Sequence, residues 1–153
     1  MTVMQQIRDD LTAAMRARDD TTVSTLRMAI AAVQKAEVAG DEQVELSDDE
    51  VVAVLQREAR SRRDSAQVYA DAGRDELATR ERAEAEVLER YLPAAASDEE
   101  LAAVVEEEVA GARAAGTDGP KAIGVVVKAV RERLGARVDG ARAAAAVKQA
   151  LGL

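Results

Sequence analysis

Apolar positions recur along almost the whole chain at helical spacing, interrupted by short polar breaks. Val3, Ile7, Leu11 and Met15 repeat every fourth residue, which predicts a first helix over about 2–18. Asp19 to Thr22 breaks the pattern and offers capping side chains. Val23, Leu26, Ile30 and Val33 then mark a second helix, with Gly40 as its stop. A polar loop leads to Ser47, whose hydroxyl can cap a third helix while Glu50, three residues on, closes a capping box. Along that helix Val52, Leu55, Ala59, Arg62, Ala66 and Tyr69 fall on one stripe up to Gly73. A fourth helix, about 75–92, has Leu77, Val87, Leu88 and Tyr91 as its apolar positions and a middle made of charge and alanine. The third and fourth helices are therefore expected to project as a largely solvated hairpin.

Pro93 stops the fourth helix, because the residue before a proline is driven out of the α region. Pro93-Ala-Ala-Ala-Ser97 is the best boundary in the chain. Beyond it, Ser97 to Glu100 forms a second capping box, and Leu101, Val104, Val105 and Val109 make the stripe of a fifth helix. A sixth helix is expected from Pro120, with Ile123, Val127, Val130 and Leu134 inward and Lys121, Gly124, Lys128 and Arg131 outward. Gly135 closes it, Asp139 caps a seventh, and Ala143, Val147 and Leu151 give the last apolar side. The expected architecture is all-α. A bundle of two helical hairpins (about 2–39 and 48–92) occupies residues 1–93, and a small three-helix domain occupies 97–153.

Composition sharpens this reading. There are 34 alanines, no Phe, no Trp and only two Tyr, so the core must rely on close helix approach and not on large rings. Absence of Cys and His removes disulfides, thiolate metal sites, cysteine nucleophiles and the commonest general base together. No signal-peptide core and no long apolar run is present, so a soluble cytoplasmic protein is expected. A net charge of −8 argues against indiscriminate nucleic-acid binding. The distribution is uneven, however. From Gly119 onward seven basic residues face only Glu132 and Asp139, which makes a local positive field on an acidic protein.

Four runs carry a resemblance: LRMAIAAVQKAEV (26–38), LSDDEVVAVLQREARSRRDS (46–65), AGRDELATRERAEAEVLERYLP (72–93) and GPKAIGVVVKAVRERLGARVDG (119–140). Together and in this order they resemble the YqeY-like proteins, small bacterial proteins similar to the tail of the B subunit of the tRNA-dependent aspartyl/glutamyl amidotransferase. The resemblance implies a helical domain followed by a small three-helix domain. It also implies a link to tRNA, because the related tail recognises the body of that RNA while other domains do the chemistry. By position Lys121, Gly124, Lys128 and Arg137 match the basic and glycine positions of the last run, and Asp139-Gly140 its closing turn. The chain departs from the pattern at Val125 to Val127 and at Ala141, where a lysine is common and Arg142 follows instead.

Three functions are weighed. The first is a non-catalytic RNA-binding accessory protein that recognises tRNA through Lys121, Gly124, Lys128, Arg131, Arg137 and Arg142. A glycine there lets a phosphate backbone approach, and the helix N-terminus at Pro120 adds N–H groups. The second is a protein-interaction module using the long charged helix pair, with a tRNA-charging or amidotransferase component as a possible partner. The third is a carbon–nitrogen ligase with glutamine as amide donor, which the resemblance's label invites. No Cys, no base-bearing serine motif and no phosphate-cradling loop supports it, and no catalytic residue is assigned. Arg60, Arg62 and Arg63 form a weaker candidate anion site; the alternative there is that Arg62 packs its stem and reaches an acidic partner. No metal, cofactor or membrane association is expected.

Overall fold

The computed structural model describes all residues, 1–153. The chain is all-α: α1 (Val3–Ala17), α2 (Asp20–Glu37), α3 (Asp48–Asp71), α4 (Asp75–Glu89), α5 (Asp98–Ala114), α6 (Ala122–Leu134) and α7 (Gly140–Ala150). Short 3-10 turns at Gly119–Lys121 and Gly135–Arg137 flank α6, and there is no strand. Two compact units are formed, Met1–Leu92 and Pro93–Leu153. No helix is long and apolar enough to cross a membrane.

In the first unit α1, α2 and α3 start where a side chain takes up orphaned backbone N–H groups, whereas α4 starts after Arg74 with no side-chain cap. The Ser47 hydroxyl accepts from the Glu50 N–H at 3.3 Å, and the Glu50 carboxylate accepts from the Ser47 N–H at 2.8 Å. Asp19 caps α2 through the Thr22 N–H at 3.1 Å. A third cap is the reciprocal Thr2–Gln5 box on α1, in which glutamine takes the place that glutamate holds at Glu50.

Ile7, Leu26, Val33, Val51, Leu55 and Leu88 are the largest fully buried apolar side chains of this unit. The stripes turn slightly from their sequence reading. On α1, Ala14 is buried and Met15 is 51% exposed; on α3, Val51 and Val54 go inward while Val52 is half-buried. The α3–α4 hairpin is also less solvated at its seam than its charge predicts. Ala59, Ala66, Ala78 and Ala85 are all buried, which lets two helices with small facing side chains approach closely. The Tyr91 hydroxyl donates to Asp10 at 2.5 Å and ties the end of α4 to α1.

The second unit packs α5, α6 and α7 around Leu101, Val105, Val109, Val126, Val130, Leu134 and Val147. Here α6 begins at Ala122 and not at Pro120, because Gly119–Lys121 is wound as a 3-10 turn. Its buried row is Ala122, Val126, Val130 and Leu134; Ile123 and Val127 are half-buried beside it. Gly135, at φ +56°, ends α6 in a backbone conformation that L side chains rarely adopt.

Candidate functional site

The outward face of α6 is the feature to build from, and it exists because the buried row sits on the other side of the helix. Lys121, Gly124, Val125, Lys128 and Arg131 are all exposed. The Lys128 ammonium lies 4.0 Å from Glu132 Oε1, with both side chains mostly in solvent. Such an i,i+4 pair holds little, about 0.3–0.5 kcal/mol, so the lysine is available to a stronger anion. Arg131 lays its guanidinium 3.6 Å from where a Cβ on Gly140 would stand, which steadies it over the start of α7. At Gly124 the opposite holds. A Cβ there would meet nothing within 4 Å, so no internal contact requires this glycine in mid-helix.

Of the other basic residues of the segment, Arg133, Arg137 and Arg142 are paired within the unit, while Lys148 stays exposed on α7. Arg137 donates both terminal nitrogens to Glu100, at 2.7 and 2.6 Å, and its Nε to the Ala94 carbonyl at 3.2 Å. Its own carbonyl accepts from the Ala96 N–H at 2.8 Å. Arg142 donates to the Ala96 carbonyl at 2.6 Å and to Asp98 at 2.7 Å. Together these bonds strap the stretch after Pro93 onto the unit, so residues 94–96 are part of its fold. Arg133 meets Glu107 at 2.8 Å and Glu108 at 3.2 Å. The local positive field is therefore narrower than seven basic residues imply, and its exposed centre is Lys121, Lys128 and Arg131.

Two expectations about helix starts change with this. Ser97 does cap α5, accepting from the Glu100 N–H at 3.1 Å, but the Glu100 carboxylate goes to Arg137 and leaves the box open. The N–H groups ahead of α6 are also less free than a start at Pro120 would make them. Asp118 accepts from Gly119 N–H at 2.8 Å and from Arg113 at 3.0 Å, so a carboxylate of the chain already fills that end.

The hydrogen bonds from Arg137 hold the Glu100 carboxyl below its ordinary value of 4.5, and those from Arg113 hold Asp118 below 3.8. A carboxyl lowered on folding stabilises the fold above its unfolded value, and that stability drains as pH falls through the lower folded value. Thermal stability of residues 93–153 is thus expected to hold down to about pH 5 and to fall below the ordinary carboxyl range. Glu100→Gln should flatten this loss in an acid titration followed by circular dichroism. An unchanged acid limb would show that the pair does not respond to folding.

Arg60, Arg62 and Arg63 do not converge. Arg62 is buried, 3.2 Å from Glu58 and 3.3 Å from Glu84. Arg63 pairs with both oxygens of Glu89 at 2.9 and 2.8 Å, and Arg60 lies 3.9 Å from Asp64. An incoming anion would have to displace carboxylates at each. No group of three or more acidic side chains is placed to hold a metal ion.

The family model described as Yqey-like protein matches residues 4–151. Among curated proteins, the chain is 35% identical over 89 residues to altered inheritance of mitochondria protein 41, mitochondrial, of Meyerozyma guilliermondii. That alignment covers 58% of this chain and 46% of the relative. The protein of the same name from Clavispora lusitaniae is 31% identical over 101 residues, 65% of this chain and 58% of its own. The chain thus spans about half the length of the curated relatives it matches. Both relatives are named as mitochondrial, whereas the resemblance read from the sequence is to small bacterial proteins, and the cytoplasmic expectation rests on the lack of a signal-peptide core or long apolar run.

Proposed function

Because the chain belongs to the Yqey-like protein family, we propose that it is a non-catalytic accessory protein that binds structured RNA of the tRNA type on the outer face of α6. The observation that carries this reading is the exposed Lys121, Gly124, Lys128 and Arg131 face on a chain of net charge −8. Two lysines and an arginine offset phosphate charge, and the glycine between them removes the side chain that would keep a sugar–phosphate backbone away. With no aromatic ring in residues 93–153, base stacking is not available to this unit. Recognition would be of shape and backbone, as suits a folded RNA. Arg137 and Arg142, weighed with these residues at first, serve the reading indirectly by fastening the unit that presents α6. The working compartment under this reading is the aqueous space that holds tRNA, which is the cytoplasm in a bacterium.

The test is a titration of the full chain with deacylated tRNA at rising salt. Three phosphate contacts on a duplex region give a slope near −2.7, so moving from 50 to 200 mM salt should weaken binding about 40-fold. Lys128→Glu should weaken it about tenfold or more and lower the slope by about one. Gly124→Ala separates function from stability. It should stabilise the fold by about 0.5–1 kcal/mol, since alanine fits the open position, while weakening RNA binding. Salt-insensitive binding, or binding untouched by Lys128→Glu, would sink the proposal.

A further inference from the structure

The same unit carries a second surface, a groove of about 1090 Å³ between α5 and α7. Leu101, Val105 and Val109 lie beneath it, almost fully buried, and alanines from both helices form most of the surface it presents. Small side chains over a branched apolar layer admit a helix at close range. Charge is ordered along it: Asp98 at one end, Glu106 in the middle and Arg113 at the other end. Asp98 and Arg113 have intramolecular partners in Arg142 and Asp118, whereas Glu106 is exposed and forms no ion pair.

We propose that this groove takes the outer face of α6 from a second copy of the chain. That face carries the reverse order of charge, Lys121, Lys128 and then Glu132, around an exposed Val125. Lys121 and Lys128 are separated by about 10 Å along the helix, and Asp98 and Glu106 by about 12 Å. Laid parallel to α5, the incoming α6 sets Lys121 beside Asp98 and Lys128 beside Glu106, and brings Glu132 toward Arg113. Val125 lies between the two lysines as Ala102, above Leu101 and Val105, lies between the two acids. Gly124 adds no bulk against the alanine wall. A valine of 58% exposure in mid-helix has a place to go in this arrangement.

The two patches are different surfaces, so the contact is heterologous and adds copies head to tail. A three-turn helix in a groove is a small interface, below the roughly 1,200 Å² of stable complexes, so the association is weak. The −8 charge of each copy opposes it at low salt. At about 0.15 M salt that repulsion is screened beyond roughly 8 Å while touching pairs persist. The inference does not depend on RNA binding, but it uses the same α6 face, so the two would compete where both hold.

Sedimentation of the full chain at about 0.15 M salt tests it. Wild type should show concentration-dependent self-association. Glu106→Lys and Lys128→Glu should each weaken it at least about tenfold, because like charges then face each other. An equimolar mixture of the two variants should associate again, since each supplies the charge the other lacks. That recovery also rules out misfolding as the cause of the single losses. Glu106→Lys lies off the α6 face and should keep any tRNA binding of the wild type, which separates this inference from the RNA reading. A wild type that stays monomeric at high concentration, association indifferent to Glu106→Lys, or a mixture that fails to recover would each overturn it. So would a monomeric chain whose groove binds an unrelated lysine-bearing amphipathic peptide, which would assign the groove to another partner.

Discussion

Arg62→Ala is expected to destabilise the first unit by about 3–5 kcal/mol, the cost of removing one partner from a buried ion pair. Arg62 is only 7% exposed, and its Nε, 3.3 Å from Glu84, lacks hydrogen-bond geometry. The guanidinium therefore depends on the combined field of Glu58 and Glu84, with Met28 sulfur 3.6 Å from its third nitrogen. Alanine would leave Glu84, itself 13% exposed, with Arg80 alone, and Arg80 is 72% exposed and gives little in water. Arg62→Met with Glu84→Leu removes both charges and keeps most of the volume, so that double variant should return to within about 1 kcal/mol of wild type. Urea unfolding of both variants checks this. A single-variant loss below about 1 kcal/mol would mean that water reaches the pair freely. The same arrangement explains why this arginine triplet is a poor anion site: phosphate would have to replace two carboxylates already in contact.

The helices were legible because their causes are local. Capping at Ser47, Ser97, Asp19 and Asp139, the stop at Gly135 and the spacing of valines and leucines all lie within a turn or two of the features they determine. Rotation of the buried stripe was less legible, because alanine does not stand out in a pattern of larger residues. Ala14, Ala78, Ala85 and Ala122 are all core positions that a search for Val, Leu and Ile passes over.

The site was the least legible part, since it depends on which cations are used up inside the fold. Arg137 meets Glu100 across 37 positions and Arg142 meets Asp98 across 44, and no spacing rule connects them. One physical signal was present. Of the basic residues in the second unit, those with the strongest internal pairs are Arg113, Arg133, Arg137 and Arg142. Arginine's planar fork suits paired carboxylates and carbonyls, whereas a lysine is a hydrated point charge. Weighting lysines above arginines would have narrowed the candidate face to Lys121 and Lys128 with fewer companions.

Val130→Ala is expected to lower the melting temperature of the second unit by about 10–20 °C and leave that of the first nearly unchanged. Val130 is fully buried at the centre of α6's inner row, among Val126, Leu134 and the side chains of α5 and α7. Truncating a fully buried valine loses its transfer energy and leaves a small cavity, together about 2–3 kcal/mol. A unit of this size has a total stability of only about 3–9 kcal/mol, and each kcal/mol is worth roughly 4–8 °C. The first unit has its own buried cluster around Leu26, Leu55 and Leu88, none of which the substitution touches. Calorimetry should therefore show two transitions, of which only that of residues 93–153 moves. A single transition moving as a whole would mean that the two cores unfold together. Binding gives a second readout, since α6 presents Lys121 and Lys128 only while its inner row is packed. At temperatures between the shifted and the original transition, the variant should lose tRNA binding and self-association together, and it should recover both on cooling.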